Sequence, residues 1–132
     1  MDFCDPQTAG DPCEWKSVRY IGLMIRALTA QQAQDLIARG EVEVVDVRDP
    51  GEWSGGHLPN ARLVPLEQLR SAPAQLLPHD GVLFVCAAGV RSQTAARIAA
   101  AIGLQNVYSL NGGTRGWVKN GFSLVNDISV AV

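Results

Sequence analysis

Val82-Leu83-Phe84-Val85 constrains the fold of this chain more than any other stretch. It is an uninterrupted apolar run, opened by the turn signal Asp80-Gly81 and followed by small residues that lead toward a helix. A strand without polar alternation is buried on both faces, and such strands belong to parallel sheets covered by helices. Val42 to Val47 is a second run suited to burial, with Asp46 near its end, and Val107-Tyr108-Ser109-Leu110 reads as the last strand. Ala61 to Val64 is a candidate short strand.

Helical signals alternate with these runs. Thr29 can cap a helix in which Ala33, Leu36 and Ile37 recur at helical spacing, ended by Gly40. Pro50-Gly51 breaks the strand that precedes it, and Glu52-Trp53 begins a single helical turn. Gly55-Gly56-His57-Leu58-Pro59-Asn60 is loop. Pro65 opens a helical stretch through Leu69, and Ala74 to Leu77 is a further turn before Pro78. An alanine-rich helix is predicted from about Ser92 to Ile102, stopped by Gly103, and Gly112-Gly113 leads toward Trp117. Strands alternating with helices give an α/β domain with a mostly parallel central sheet, flanked by helices on both faces.

Length and composition agree with one domain. The chain has 132 residues, 47% hydrophobic and 18% charged, which excludes a disordered chain and leaves no room for a second domain. Residues 1–25 lack periodicity and read as an N-terminal extension, 26–122 as the domain, and 123–132 as a C-terminal tail. Arg19, Arg26 and Arg39 interrupt the most apolar early stretch, so no membrane span is expected. The first residues are acidic rather than the basic start of a signal peptide, which predicts a cytoplasmic chain. Eleven basic residues scattered against thirteen acidic ones argue against a nucleic-acid or membrane surface.

Three cysteines cannot all pair, so at least one thiol is free. Cys4 and Cys13 stand in the irregular extension without histidine partners, and read as thiols without a role rather than a metal site. Cys86 differs, because it ends the apolar strand and precedes a helix start, where α/β sheets bind their ligands. Unpaired N–H groups and the partial positive charge of a helix N-terminus favour an anion, and cysteines so placed tend toward thiolate. Ala87, Ala88 and Gly89 are small enough to let backbone amides approach a sulfur. Arg91 lies near the first helical turn, where a cation opposes the helix dipole and is expected to answer to an anionic ligand. Taken singly, the cysteine reads as a small hydrophobe and the arginine as a surface charge. Together they read as an anion cradle around a nucleophile.

The segment Val82 to Ser92, with Cys86-x-x-Gly89-x-Arg91-Ser92, resembles the active-site strand and loop of rhodanese-like single-domain sulfurtransferases. Val45-Asp46-Val47-Arg48 with Glu52 and Gly56-His57-Leu58-Pro59-Asn60-Ala61 is similar to the family's first signature. Leu110-Asn111-Gly112-Gly113 followed by Gly116-Trp117 is similar to its last, so the resemblance covers about residues 28–121. It implies a rhodanese-like fold and a two-step sulfur transfer from thiosulfate or a persulfide through a Cys86 persulfide. The implied acceptor is cyanide, a thiol or a protein, and no metal or organic cofactor is implied. On this reading Ala87, Ala88, Gly89, Val90, Arg91 and Ser92 bind substrate, while Asp46, Arg48 and His57 support the site. Asp46 is expected to hydrogen-bond loop backbone, His57 to hydrogen-bond its own loop, and Trp117 to anchor the core. Arg48 and Glu52, four apart, are expected to pair across the Pro50-Gly51 turn.

Two alternatives stand beside this reading. Cysteine-dependent phosphatases of a similar fold use His-Cys-x5-Arg, whereas Val85 precedes this cysteine and only four residues separate it from Arg91. The shorter loop suits a sulfur-sized group. A catalytically silent binding module of the same fold typically lacks the cysteine, which is present here. With Arg91 as the only cation in the loop, weak thiosulfate affinity and a preference for a persulfide donor are expected.

Overall fold

The computed structural model of the chain describes residues 19–20 and 25–126. Along it run β1 (Arg19–Tyr20), β2 (Ile25–Leu28), α1 (Ala30–Ala38), β3 (Glu43–Asp46), α2 (Pro50–Ser54) and β4 (Arg62–Leu63). Then follow α3 (Leu66–Ser71), α4 (Pro73–Leu76), β5 (Val82–Val85), α5 (Val90–Ala101), β6 (Val107–Leu110) and α6 (Gly113–Lys119). The strands form one sheet in the order β1-β2-β6-β5-β3-β4, in which β1 is antiparallel to β2 and every other pairing is parallel. The architecture is the α/β fold expected from the sequence.

The central position of β5 explains its composition. All four of its residues are buried, so neither face tolerates a polar group. Val82 and Phe84 face a cluster with Val45, Leu69 of α3 and Ala95, Ala96 and Ala99 of α5, and Cys86 closes the top of this layer. Leu83 and Val85 face the opposite cluster, with Leu36 of α1, Tyr108, Leu110 and Trp117 of α6. Helices therefore cover both faces. Alanines along α5 let that helix lie close to the sheet. Trp117 is an anchor of the second layer, where its Nε1 donates to the Ser123 carbonyl at 3.0 Å and its ring packs beside Phe122.

Local signals place several element ends where the sequence reading put them. Thr29 caps α1 through a reciprocal pair, its hydroxyl accepting from the Gln32 N–H and its own N–H donating to the Gln32 side chain. Pro50 opens α2 after Asp49, at the first helical position where a missing N–H is tolerated. Three features differ from the sequence reading. The strand β2 was not expected, because Ile25–Leu28 carries Arg26 at a half-buried position and abuts the helix cap. Helix α5 starts at Val90, two residues before Ser92, because Gly89 takes the cap position with φ of 103°. Helix α6 was also unexpected, since Gly112, Gly113 and Gly116 conceal it.

The sheet draws β1 from the segment read as an extension, with Arg19 opposite Ala27 and Tyr20 opposite Arg26. From the segment read as a tail, Val125 exchanges backbone hydrogen bonds with His57 at 2.8 and 2.9 Å. Cys4 and Cys13 lie outside the described residues. Among those described, no helix is long and apolar enough to cross a membrane, and no cluster of acids, histidines and cysteines is suited to a metal ion.

Candidate active site

Cys86 leaves β5 at the carboxyl end of the sheet and is 1% exposed. Its sulfur accepts the Gly89 N–H at 3.0 Å and the Ser92 N–H at 3.4 Å, and lies 3.7 Å from the Ser92 hydroxyl. Both N–H groups belong to the start of α5, whose early N–H groups have no partner within the helix. They converge on one atom from the side where the helix dipole is positive. Such an arrangement suits a sulfur that carries negative charge.

The loop holds this shape through glycines and backbone bonds. Gly89 adopts φ of 103°, a conformation that turns the chain from strand to helix within a few residues. Below it, the β6–α6 turn grips the loop: Thr114 N–H donates to the Cys86 carbonyl at 2.8 Å and Arg115 N–H to the Ala87 carbonyl at 3.1 Å. Gly113 makes that approach possible. With φ of 60°, a Cβ at this position would collide with the Cys86 carbonyl oxygen and the Ala87 backbone. Ser92 bonds to the Ser109 hydroxyl at 2.7 Å and to the Gly89 carbonyl at 3.2 Å, which ties the helix start to β6. Ala87 is half-buried, whereas Ala88 and Val90 are exposed, Val90 by 73%.

Arg91 has a partner within the chain. Its Nη1 and Nη2 donate to the two carboxylate oxygens of Glu52 at 2.8 and 2.9 Å. The pair spans the gap between α5 and α2, with each side chain 35% exposed. The guanidinium, aided by the Asp49 N–H, pulls the Glu52 carboxyl from its ordinary 4.5 down to about 2. The Glu52 carboxylate in turn raises the pKa of Arg91. Two expectations are corrected here. Arg48 does not pair with Glu52, because a residue 39 positions further along the chain reaches that carboxylate in a forked geometry. And the cost of a cation at a helix start, which had pointed to an external anion, is met by Glu52.

Arg48 turns inward instead. Its Nε and Nη2 donate to both oxygens of Asp46 at 2.8 to 3.0 Å, and Nη2 also donates to the Gly56 carbonyl at 2.7 Å. Asp46 also accepts the Arg48 N–H at 3.0 Å, the loop-backbone bond expected of it. His57 is buried, stacked on Trp53 at 3.6 Å between ring centres, and its Nδ1 bonds to the Leu58 carbonyl at 2.9 Å. These contacts fix the loop that carries α2. The structure thus brings Cys86, Gly89 and Ser92 together around one atom, sets Arg91 against Glu52 at the rim, and leaves Asp46, Arg48 and His57 beneath the neighbouring loop.

Sequence reasoning missed Glu52 as the partner of Arg91, Ser109 as the partner of Ser92, and Gly113 as the floor of the loop. For Ser109 a signal existed, since a lone hydroxyl inside a fully buried strand must find a partner.

Comparison with known proteins bears on the family and the fold. The sequence profile of the rhodanese-like domain matches residues 29–120. The thiosulfate sulfurtransferase GlpE of Tolumonas auensis is 32% identical over 90 residues, covering 68% of this chain and 85% of the relative. The uncharacterized protein YqhL of Bacillus subtilis is 35% identical over 77 residues, and that match spans 58% of this chain and 61% of the relative's own length. Among solved structures, a rhodanese-related protein from Thermoplasma volcanium superposes with a TM-score of 0.70 at 28% identity, covering 76% of this chain and 98% of that one.

Proposed function

The chain belongs to the rhodanese-like domain family, and from that premise we propose that it is a sulfurtransferase whose nucleophile is Cys86. The observation that carries this reading is the convergence of the Gly89 and Ser92 N–H groups on the Cys86 sulfur. In the first step the thiolate attacks the outer sulfur of a donor, thiosulfate or a persulfide. A bond forms between Cys86 and that sulfur as the donor's sulfur–sulfur bond breaks, and the leaving sulfite or thiolate keeps the electron pair. In the second step an acceptor thiolate or cyanide attacks the outer sulfur, and the Cys86 thiolate leaves. Each step is a two-electron displacement at sulfur, so no outside oxidant enters. The pattern is covalent catalysis of the ping-pong kind.

The chain's own residues have distinct parts in this scheme. Gly89 and Ser92 N–H groups steady negative charge on the Cys86 sulfur when the outer sulfur departs. Ala87, Ala88 and Val90 form a rim of small or apolar side chains across which a donor approaches. A relative named as a thiosulfate sulfurtransferase supports the reaction class.

The test is intact mass after incubation with thiosulfate or an organic persulfide. Wild type is expected to gain the mass of one sulfur and to lose it on adding cyanide, while Cys86→Ser gains none. Equal gain on both proteins, or none on wild type with either donor, would overturn the reading. Hydrolysis of an aryl phosphate without sulfur uptake would favour phosphatase chemistry instead.

A further inference from the structure

We infer that Glu52 determines donor specificity: it occupies the guanidinium at the mouth of the loop and so selects low-charge organic persulfides over the thiosulfate dianion. This rests on the sulfurtransferase reading of Cys86. Three observations carry it.

The first is the fork itself. Both terminal nitrogens of Arg91 are engaged by the two oxygens of Glu52, so the planar face that would receive a sulfonate is already filled by a carboxylate. The second is how Glu52 is held. Its Oε1 also accepts the Asp49 N–H at 3.0 Å, as the third residue of a short helix that starts at Pro50. The next residue, Trp53, is stacked on buried His57. The carboxylate is thus positioned by its own backbone and is not free to swing aside at little cost.

The third is the sum of charge. Arg91 contributes one positive charge to the rim, and Glu52 and the exposed Asp49 contribute two negative ones. The nearby Arg48 is buried and matched by Asp46, so it adds no net charge. Arg115, exposed on the turn bonded to Ala87, is a further cation near the loop, whereas the sulfur itself is met by the pair of N–H groups, which suits one anionic atom. A thiosulfate dianion brings its second charge to the rim. To be held there it must part Arg91 from Glu52 and then sit beside two carboxylates. A persulfide carries its single charge on the terminal sulfur and presents an uncharged chain to the rim, beside Val90.

The experiment replaces Glu52 by glutamine, which keeps the shape and can still accept from Asp49 while removing the charge. In Glu52→Gln, kcat/KM for thiosulfate is expected to rise about tenfold, mainly through KM, as expected for losing one like charge near the donor. It should also fall with added salt more steeply than in wild type. With 2-hydroxyethyl persulfide, whose chain carries no charge, the change should stay within about threefold of wild type. Glu67→Gln removes an equal charge from an exposed helix position and should leave both donors unchanged. A thiosulfate kcat/KM that is unchanged or lower in Glu52→Gln, or that rises equally in Glu67→Gln, would overturn the inference.

A second arm does not need sulfur transfer. In a Cys86→Ser background, thiosulfate binding measured by calorimetry should tighten about tenfold on adding Glu52→Gln. Equal affinity in the two proteins would refute the role of Glu52. Absence of a persulfide on wild type from either donor would refute the transfer reading instead, so the two failures are told apart.

Discussion

Two loops leave neighbouring parallel strands at the same end of the sheet, and they fill their centres in opposite ways. After β3, whose Asp46 lies opposite Val85 of β5, the centre is a side chain: the Arg48 guanidinium binds Asp46 on one side and the Gly56 carbonyl on the other. After β5 the centre is the Cys86 sulfur, which accepts the Gly89 and Ser92 N–H groups and lies beside the Ser92 hydroxyl. The first loop matches its buried guanidinium internally, with Asp46 and the Gly56 carbonyl. The second turns its N–H donors on the sulfur proposed above as the nucleophile. An exposed pair, Glu52 with Arg91, joins the two. On the proposed function, support and chemistry are divided between adjacent loops, and substitutions should separate them.

The largest effect on stability is expected at the buried pair. Asp46→Ala leaves the Arg48 guanidinium buried without its anion, which costs about 3–5 kcal/mol. Thermal unfolding followed by circular dichroism should show a loss of roughly 12–20 °C at about 4 °C per kcal/mol. At temperatures where the variant is folded, its rate of persulfide formation should stay within about threefold of wild type. A folded Asp46→Ala that takes up no sulfur would give Asp46 a chemical part and erase the division between the loops.

Gly113→Ala should fall next in stability and above Asp46→Ala in its effect on chemistry. Alanine at positive φ costs about 1–2 kcal/mol, and crowding a packed interior adds about 1–3 kcal/mol. The new methyl would push against the Cys86 carbonyl and the Ala87 backbone. The loop must move, and a shift of the nucleophile is expected to slow persulfide formation ten- to a hundredfold. Melting and stopped-time mass measurements on the same sample check both parts. A destabilised Gly113→Ala with an unchanged rate would mean that the turn supports the fold without shaping the site.

How much of this was legible in the sequence follows from the range of each interaction. The strand Val82–Val85 and its neighbour Val107–Leu110 were legible to the residue, because full burial on both faces admits only apolar side chains or a partnered polar one. Cys86 and its small-residue loop were legible because the strand, the loop and the helix start are consecutive. The cap at Thr29 is likewise a signal within a few residues. Arg48 misled because Glu52 stands four residues away, a spacing that suggests a pair, while the true partner Asp46 lies two residues back and faces inward. The bond between Arg91 and Glu52 joins residues 39 apart, and no local pattern announces which cation a carboxylate will meet. Gly113 was visible as a glycine, but its reason is the Cys86 carbonyl, which only the folded sheet brings beside it.

The smallest effect on stability should come from the rim pair, and its pH dependence gives the sharpest contrast with the buried one. Folding lowers the Glu52 pKa from 4.5 to about 2. A carboxyl whose pKa is depressed by folding stabilises the folded state above its unfolded value and loses that contribution as pH falls through the folded value. The pair should therefore act fully above about pH 4.5, weaken below it and vanish near pH 2. With both side chains a third exposed, solvent screens the charges, and the pair is worth only about 0.2–1 kcal/mol. Urea unfolding of wild type and Glu52→Gln should differ by no more than that at pH 7, and the difference should shrink steadily from pH 5 to pH 2. A loss of several kcal/mol at pH 7 would make the rim pair as structural as Asp46 with Arg48, and Glu52 would then be a brace between the loops first and a filter for donors second.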